Sequence, residues 1–335
     1  MMADSGSDDE SDYWAASGFV RTPEEADASA VDPIVLIAEL EALAAIVSSG
    51  ADETGTGSCW DGKSAFYDAL AANWAQSLTA ETFSPADDLL WGNYGDAHDD
   101  TLLIAFGSMT KQYHTQVHSG EAVFEYVGAC KRLGVAHCLF VKDQLQSWYL
   151  RAPGGFDALL ELLKPQIARL APRHVVTLGS SMGGYAAIRA AEALGADLAL
   201  AFGPQVILDP LQREAIRLPS MEFDPELAAL KRTGMWLKSL IEVVGAGAGA
   251  TGSQTRIHVH TGSVSRGDVR EAQLLRAAAP SRVDVWVHAR CGHCVAEHLG
   301  RSALDGLLHE ALAGQALAVL EEVGGDLSVV RTDSR

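Results

Sequence analysis

From Thr101 onward the apolar positions fall into short, β-branched runs separated by stretches in which they recur at spacings of three and four. Unbroken apolar runs are what strands buried on both faces look like, and the three-four spacing is one face of a helix. The runs predict strands at Thr101–Phe106, Ala136–Val141, His174–Leu178, Asp197–Phe202, Arg256–Thr261 and Arg282–His288. Helices are predicted at Glu121–Leu133, Phe156–Leu170, Met182–Leu194, Asp268–Ala279 and Val295–Val323. Pro165 should kink or end the second of these, because it removes a backbone donor and crowds the preceding turn. Strands alternating with helices predict an α/β class, a mostly parallel sheet with helices on both faces.

Two stretches interrupt the alternation. Pro210–Val244 reads as a helical insertion, and GAGAGATGS at 245–253 as a flexible connection. Ahead of Thr101 the rhythm is helical, as in IVLIAELEALAAIV and SAFYDALAANWAQSL, and no strand is evident. The first thirty residues are acidic and small, with Asp4, Asp8, Asp9, Glu10 and Asp12 close together, a composition that cannot recover its ordering entropy. The expected plan is therefore an acidic disordered tail over 1–30, a helical N-terminal segment over 31–100, and an α/β catalytic domain over 101–325 carrying the insertion at 210–244.

Composition narrows the function classes. The chain has 335 residues, 48% hydrophobic and 21% charged, the balance of a globular protein with a large core. A net charge of −19 argues against nucleic acid and against anionic membrane surfaces, since both need an excess of Lys and Arg. Cys59, Cys130, Cys138, Cys291 and Cys294 are too few and too uneven for a disulfide framework, which favours a reducing compartment. The start MMADSGSDDE lacks a basic, then apolar, secretory signal, and no apolar run approaches membrane-spanning length, so a cytoplasmic location is expected.

The strongest local signal is Gly179-Ser180-Ser181-Met182-Gly183, a G-x-S-x-G sequence between the apolar run HVVTL and the helical run YAAIRAAEAL. That is the strand-to-helix setting of a nucleophile elbow. A serine on so tight a turn takes a strained backbone conformation and needs small neighbours, which Gly179, Gly183 and Gly184 supply. The turn presents the hydroxyl beside a helix N-terminus, where backbone N–H groups can stabilise an oxyanion.

A serine hydroxyl needs a base, and in the α/β-hydrolase chain order the acid and then the histidine follow the serine. His293 stands in the loop ARCGHC directly after the last strand, with His298 as the rival one turn later and His288 read as a strand residue. Asp268 follows the preceding strand in GSVSRGD, where a carboxylate can orient the histidine; capping the helix that follows is the other reading of it. The oxyanion donors expected are the N–H of Met182 and, from the loop Gly107-Ser108-Met109, that of Ser108, for which a plain surface turn is the alternative.

Other constellations offer less. Cys291-Gly292-His293-Cys294 lacks the second cysteine pair of a structural zinc site, and His258 and His260, two apart on a strand, read more simply as sheet histidines. No Walker-type loop is present and no G-x-G-x-x-G follows a strand. Neither a metal nor a cofactor is expected.

The stretch Phe140-Val141-Lys142-Asp143-Gln144-Leu145-Gln146-Ser147-Trp148-Tyr149, with GSSMGGYAA at the elbow, AFGPQVILDP at 201–210 and the pairing of Asp268 with CGH at His293, resembles a group of bacterial α/β-hydrolase-like proteins. They are associated with surface polysaccharide and accessory secretion, and some are carbohydrate O-acetyltransferases or esterases. The resemblance covers about Thr101–Leu312. It implies an α/β-hydrolase-like fold, a Ser181–His293–Asp268 triad, and Trp148 and Tyr149 near the site mouth; the chain departs from that fold in showing no obvious first strand pair before Thr101, so a truncated or reorganised early sheet is expected. At the mouth the rings would form a substrate-binding platform for a sugar face; burial of Trp148 as an anchor is the other reading. The function expected is hydrolysis or transfer of an acyl group from an ester, such as an O-acylated carbohydrate. The alternatives are a thioesterase or peptidase with the same triad, and a non-catalytic binding or assembly protein.

Overall fold

The computed structural model describes residues 89–108, 124–143, 147–150, 155–218, 239–250, 254–313 and 329–331. The expected acidic tail, the helical segment up to residue 88, residues 219–238 of the insertion and the end of the last predicted helix lie outside the described residues.

Among the described residues eight strands form one sheet: β1 (Leu89–Gly92), β2 (Ala97–Phe106), β3 (Val135–Val141), β4 (His174–Ser180), β5 (Leu198–Phe202), β6 (Arg256–Gly262), β7 (Val283–His288) and β8 (Val329–Arg331). Their order is β1-β3-β2-β4-β5-β6-β7-β8. β1 and β8 pair antiparallel at the two edges, and every pair between them is parallel. The helices are α1 (Val127–Leu133), α2 (Gly155–Leu170), α3 (Met182–Leu194), α4 (Pro210–Ala215), α5 (Leu240–Ala250), α6 (Arg266–Ala278) and α7 (Val295–Leu312). The fold is α/β-hydrolase-like, with a mostly parallel sheet covered on both faces.

The strand runs are continuously apolar because alternate side chains enter two different cores. Leu102, Ile104 and Phe106 pack with α2, α3 and α6, whereas Leu103 and Ala105 pack with α1 and α7. Small residues bring α3 close to the sheet: Ala186, Ala187, Ala190 and Ala191 meet Ala199 and Ala201 in the same core. The buried Thr177 hydroxyl donates to the carbonyl of Ala187 at 2.9 Å, so this polar side chain against α3 is satisfied.

Four expectations need correction. The sheet starts before Thr101, with Leu89–Gly92 as an edge strand on β3 and β2 reaching back to Ala97. Helix α1 begins at Val127 instead of Glu121, because Tyr126 is left-handed at φ 66°. Pro165 lies inside α2, on its exposed face, where water can satisfy the carbonyl it leaves without a partner. The helix through Leu240 continues into GAGAGA as far as Ala250, and Arg282 Nη2 holds the carbonyl of Val244 at 2.7 Å.

His258, His260, Trp286 and His288 form a buried aromatic file beneath α7. The His260 ring stacks on Trp286 at 4.9 Å and 7°, and His260 Nδ1 and His288 Nε2 share a hydrogen bond of 3.0 Å. Burial, reinforced by His288 and His258, holds the His260 pKa well below its ordinary value, and burial with His298 pushes that of His288 down to about 4. Between about pH 4 and the ordinary value of 6.5 the unfolded chain therefore takes up protons that the folded chain refuses. Stability should fall as the pH drops through that window, by about 1.4 kcal/mol per pH unit for each such proton. The melting midpoint of His288→Asn should fall less steeply with acidification than that of the wild type; parallel curves would show that His288 is not the group refusing the proton.

Candidate active site

At the C-terminal edge of the parallel strands, the loops after β5 and β7 reach Ser181 in the turn after β4. Its backbone takes φ 51° and ψ −120°, the strained conformation expected of a nucleophile elbow. The strain is held from both sides: Ser181 N donates to Phe202 O at 2.8 Å, and Ser181 O accepts from Tyr185 N at 3.1 Å. The glycines are needed for approach. A Cβ on Gly179 would stand 2.2 Å from Gly183 O, and one on Gly183 would stand 2.3 Å from Phe106 O. The elbow thus sits against the end of β2, beside Gly107.

His293 reaches Ser181 from the loop after β7, with Nε2 2.9 Å from Ser181 Oγ, while Nδ1 lies 2.7 Å from Asp268 Oδ2 in the first turn of α6. An ionised carboxylate only accepts, so Nδ1 carries the proton and Nε2 of the neutral ring accepts from the serine hydroxyl. The His293 and Asp268 side chains are 18% and 11% exposed. Burial lowers the His293 pKa, but the Asp268 carboxylate, with Glu271 and Glu297 beyond it, outweighs burial and leaves it raised. Gly203 provides room for this histidine: it has φ 53°, and a Cβ there would stand 2.8 Å from His293 O.

The other candidates after Ser181 in the chain, His298 as base and Asp284 in β7 or Asp305 in α7 as acid, lie elsewhere. His298 is exposed on α7. Asp284 meets Arg256 at 3.3 Å, and Asp305 accepts two hydrogen bonds of 2.7 Å from Arg132. Asp268 lies within α6 and the N-cap is Ser265, so its carboxylate is the histidine's partner and not the helix cap.

Around the elbow, Met182 is buried at the start of α3, and Ser108 is buried in the loop after β2, its hydroxyl donating to Glu125. Tyr126, next in sequence, shares a hydrogen bond between its hydroxyl and that of Ser180. Among the described residues, no group of three or more His, Cys, Asp or Glu could hold a metal ion, and no helix is long and apolar enough to cross a membrane.

Trp148 and Tyr149 are a correction. They are 0% and 1% exposed, so neither offers an open face for a sugar. Both are left-handed, at φ 52° and 60°. The buried carboxylate of Asp143 organises their turn, Oδ2 accepting from Ser147 N at 2.6 Å, Ser147 Oγ at 3.0 Å and Tyr149 N at 2.8 Å. The Tyr149 ring packs edge-on against Phe106, and its hydroxyl reaches Gly107 O at 2.9 Å and Val141 O at 3.1 Å. Because a trans peptide is planar, fixing the Gly107 carbonyl also fixes the opposed N–H of Ser108. Tyr149 is therefore a brace behind the loop.

Two residues were missed from sequence. Gln205 Nε2 lies 2.9 Å from Ser181 Oγ and 3.2 Å from His293 Nε2. Glu271, one turn after Asp268, clamps the same loop: Oε2 accepts from Val206 N at 2.6 Å and Ile207 N at 3.0 Å, and Oε1 meets buried Arg213 at 2.7 Å. The available signal was position, since Gln205 follows the strand next to the elbow strand.

No family model matches the chain, and no curated protein matches it. Solved structures do. A carboxylesterase of the thaumarchaeon Nitrososphaera gargenis is 13% identical, with 69% of this chain and 97% of that one covered at a TM-score of 0.42. The capsule O-acetyltransferase of Neisseria meningitidis serogroup A is 12% identical over 67% and 90% at 0.43. MGS-MChE2, an α/β-hydrolase enzyme from the metagenome of Mar Chica lagoon sediments in Morocco, is 17% identical over 67% and 94% at 0.41. At these identities and scores the likeness carries nothing about substrate.

Proposed function

We propose that the protein is a serine-nucleophile enzyme that hydrolyses or transfers the acyl group of an ester through an acyl-Ser181 intermediate. The observation that carries this reading is the unbroken hydrogen-bonded file from Ser181 Oγ through His293 to Asp268, at 2.9 Å and 2.7 Å, on a strained elbow. His293 takes the serine proton as Oγ attacks the carbonyl carbon, then passes it to the leaving alcohol; Asp268 keeps the ring in the required tautomer and balances the imidazolium. The N–H groups of Met182 and Ser108 receive the oxyanion, Tyr149 bracing the second. Water or an acceptor hydroxyl then releases the acyl group by the reverse proton path.

The substrate class carried over from the resemblance is a short-chain acyl ester such as an O-acetylated carbohydrate. A panel of esters sharing one alcohol tests it. Acetyl esters should turn over faster than long-chain ones, and the opposite order would favour a lipase or thioesterase.

A further inference from the structure

We propose that Gln205 is a catalytic residue that hydrogen-bonds the alcohol oxygen of the substrate, and that it thereby selects oxygen esters over thioesters. The inference rests on Ser181 being the nucleophile. Gln205 is 7% exposed, and among the described residues its side chain bonds to Ser181 and His293. His293 Nε2 carries no hydrogen while Nδ1 donates to Asp268, so the amide group facing it must be the NH2, with Oε1 turned to 3.4 Å from Ser181 Oγ.

The backbone has no need of this side chain. Val206 and Ile207 are held by Glu271, Gly203 N donates to His260 O at 2.8 Å, and Arg213 Nη1 holds Ile207 O at 2.7 Å. The clamp instead leaves a preorganised N–H donor beside both reacting atoms, the arrangement that stabilises charge at least cost in reorganisation.

The chemistry gives that donor a place in both halves of the reaction. In acylation, Ser181 Oγ bonds the carbonyl carbon and its proton moves to His293 Nε2. The bond from carbon to the alcohol oxygen then breaks, the electron pair leaves with that oxygen, and the oxygen takes the proton from His293. At that moment the oxygen lies within reach of His293 Nε2, and so beside Gln205 Nε2. In deacylation the incoming hydroxyl occupies the same position, gives its proton to His293 and bonds the carbon, while Oγ recovers the electron pair and the proton. Gln205 forms no covalent bond. It donates one hydrogen bond to whichever oxygen holds that position, and sulfur there would be a weak acceptor.

The test compares an O-alkyl acetate with the matching S-alkyl thioacetate, using the full chain as wild type, Gln205→Met and Gln205→Leu. Loss of one such donor is expected to lower kcat/KM for the oxygen ester by about 10²-fold and for the thioester by about threefold or less. Thermal melting checks that each variant folds, and Gln205→Leu, which removes the donor without adding a charge beside Ser181 and His293, should show the same selective loss. An equal loss on both substrates, or none on either, overturns the proposal. Turnover of the oxygen ester by Ser181→Ala would instead overturn the reading of the nucleophile.

Discussion

Ser181→Ala is expected to lower kcat on an acyl ester by on the order of 10⁶, with the melting temperature little changed. Removing Oγ deletes the atom that becomes covalently bonded, and neither His293 nor Gln205 has a substitute to act on. The backbone at φ 51° strains alanine as it strains serine, and the strand, the helix and the glycine contacts that enforce the turn are untouched. What persists should be the small contribution of the oxyanion donors. Turnover within about tenfold of the wild type would place the nucleophile elsewhere.

Asp268→Asn should lower kcat by on the order of 10⁴ while KM changes far less. The asparagine amide can donate to His293 Nδ1, which then loses its proton and moves it to Nε2, where it blocks acceptance from Ser181 Oγ. The imidazolium that forms in the reaction also loses its compensating charge. The raised pKa of His293, which the carboxylate sustains against burial, should fall with it. A histidine titration by NMR therefore reads the same substitution independently of turnover. Near-normal kcat in Asp268→Asn alongside a dead variant of another carboxylate would fail the assignment of the acid.

The parts of this arrangement that could be read from sequence are those fixed by local sterics and chain order. Gly179, Ser181 and Gly183 announce a tight turn because only small residues fit it, and the apolar run before and the alanine-rich helix after set it on the sheet edge. Asp268 and His293 follow from which strand each loop terminates. What stayed hidden depends on tertiary contacts. Leu89–Gly92 is too short to show a period of two, and its pairing with β3 is decided by the partner. The GAGAGA stretch reads as a linker by propensity, but Arg282 caps a carbonyl at its entrance and the helix runs on. Trp148 and Tyr149 have the composition of a sugar platform or of a buried brace, and the choice falls to Asp143, which turns both inward. Gln205 looks like any polar loop residue until Glu271, from a different helix, is seen holding its neighbours.

The most direct measurement of the central claim is reaction of the purified chain with a fluorophosphonate probe, followed by mass mapping of the modified peptide. An activated serine at the elbow should be labelled stoichiometrically at Ser181, and labelling should vanish in Ser181→Ala. Label on Ser180, label that survives in the variant, or no label on the wild type would contradict the account.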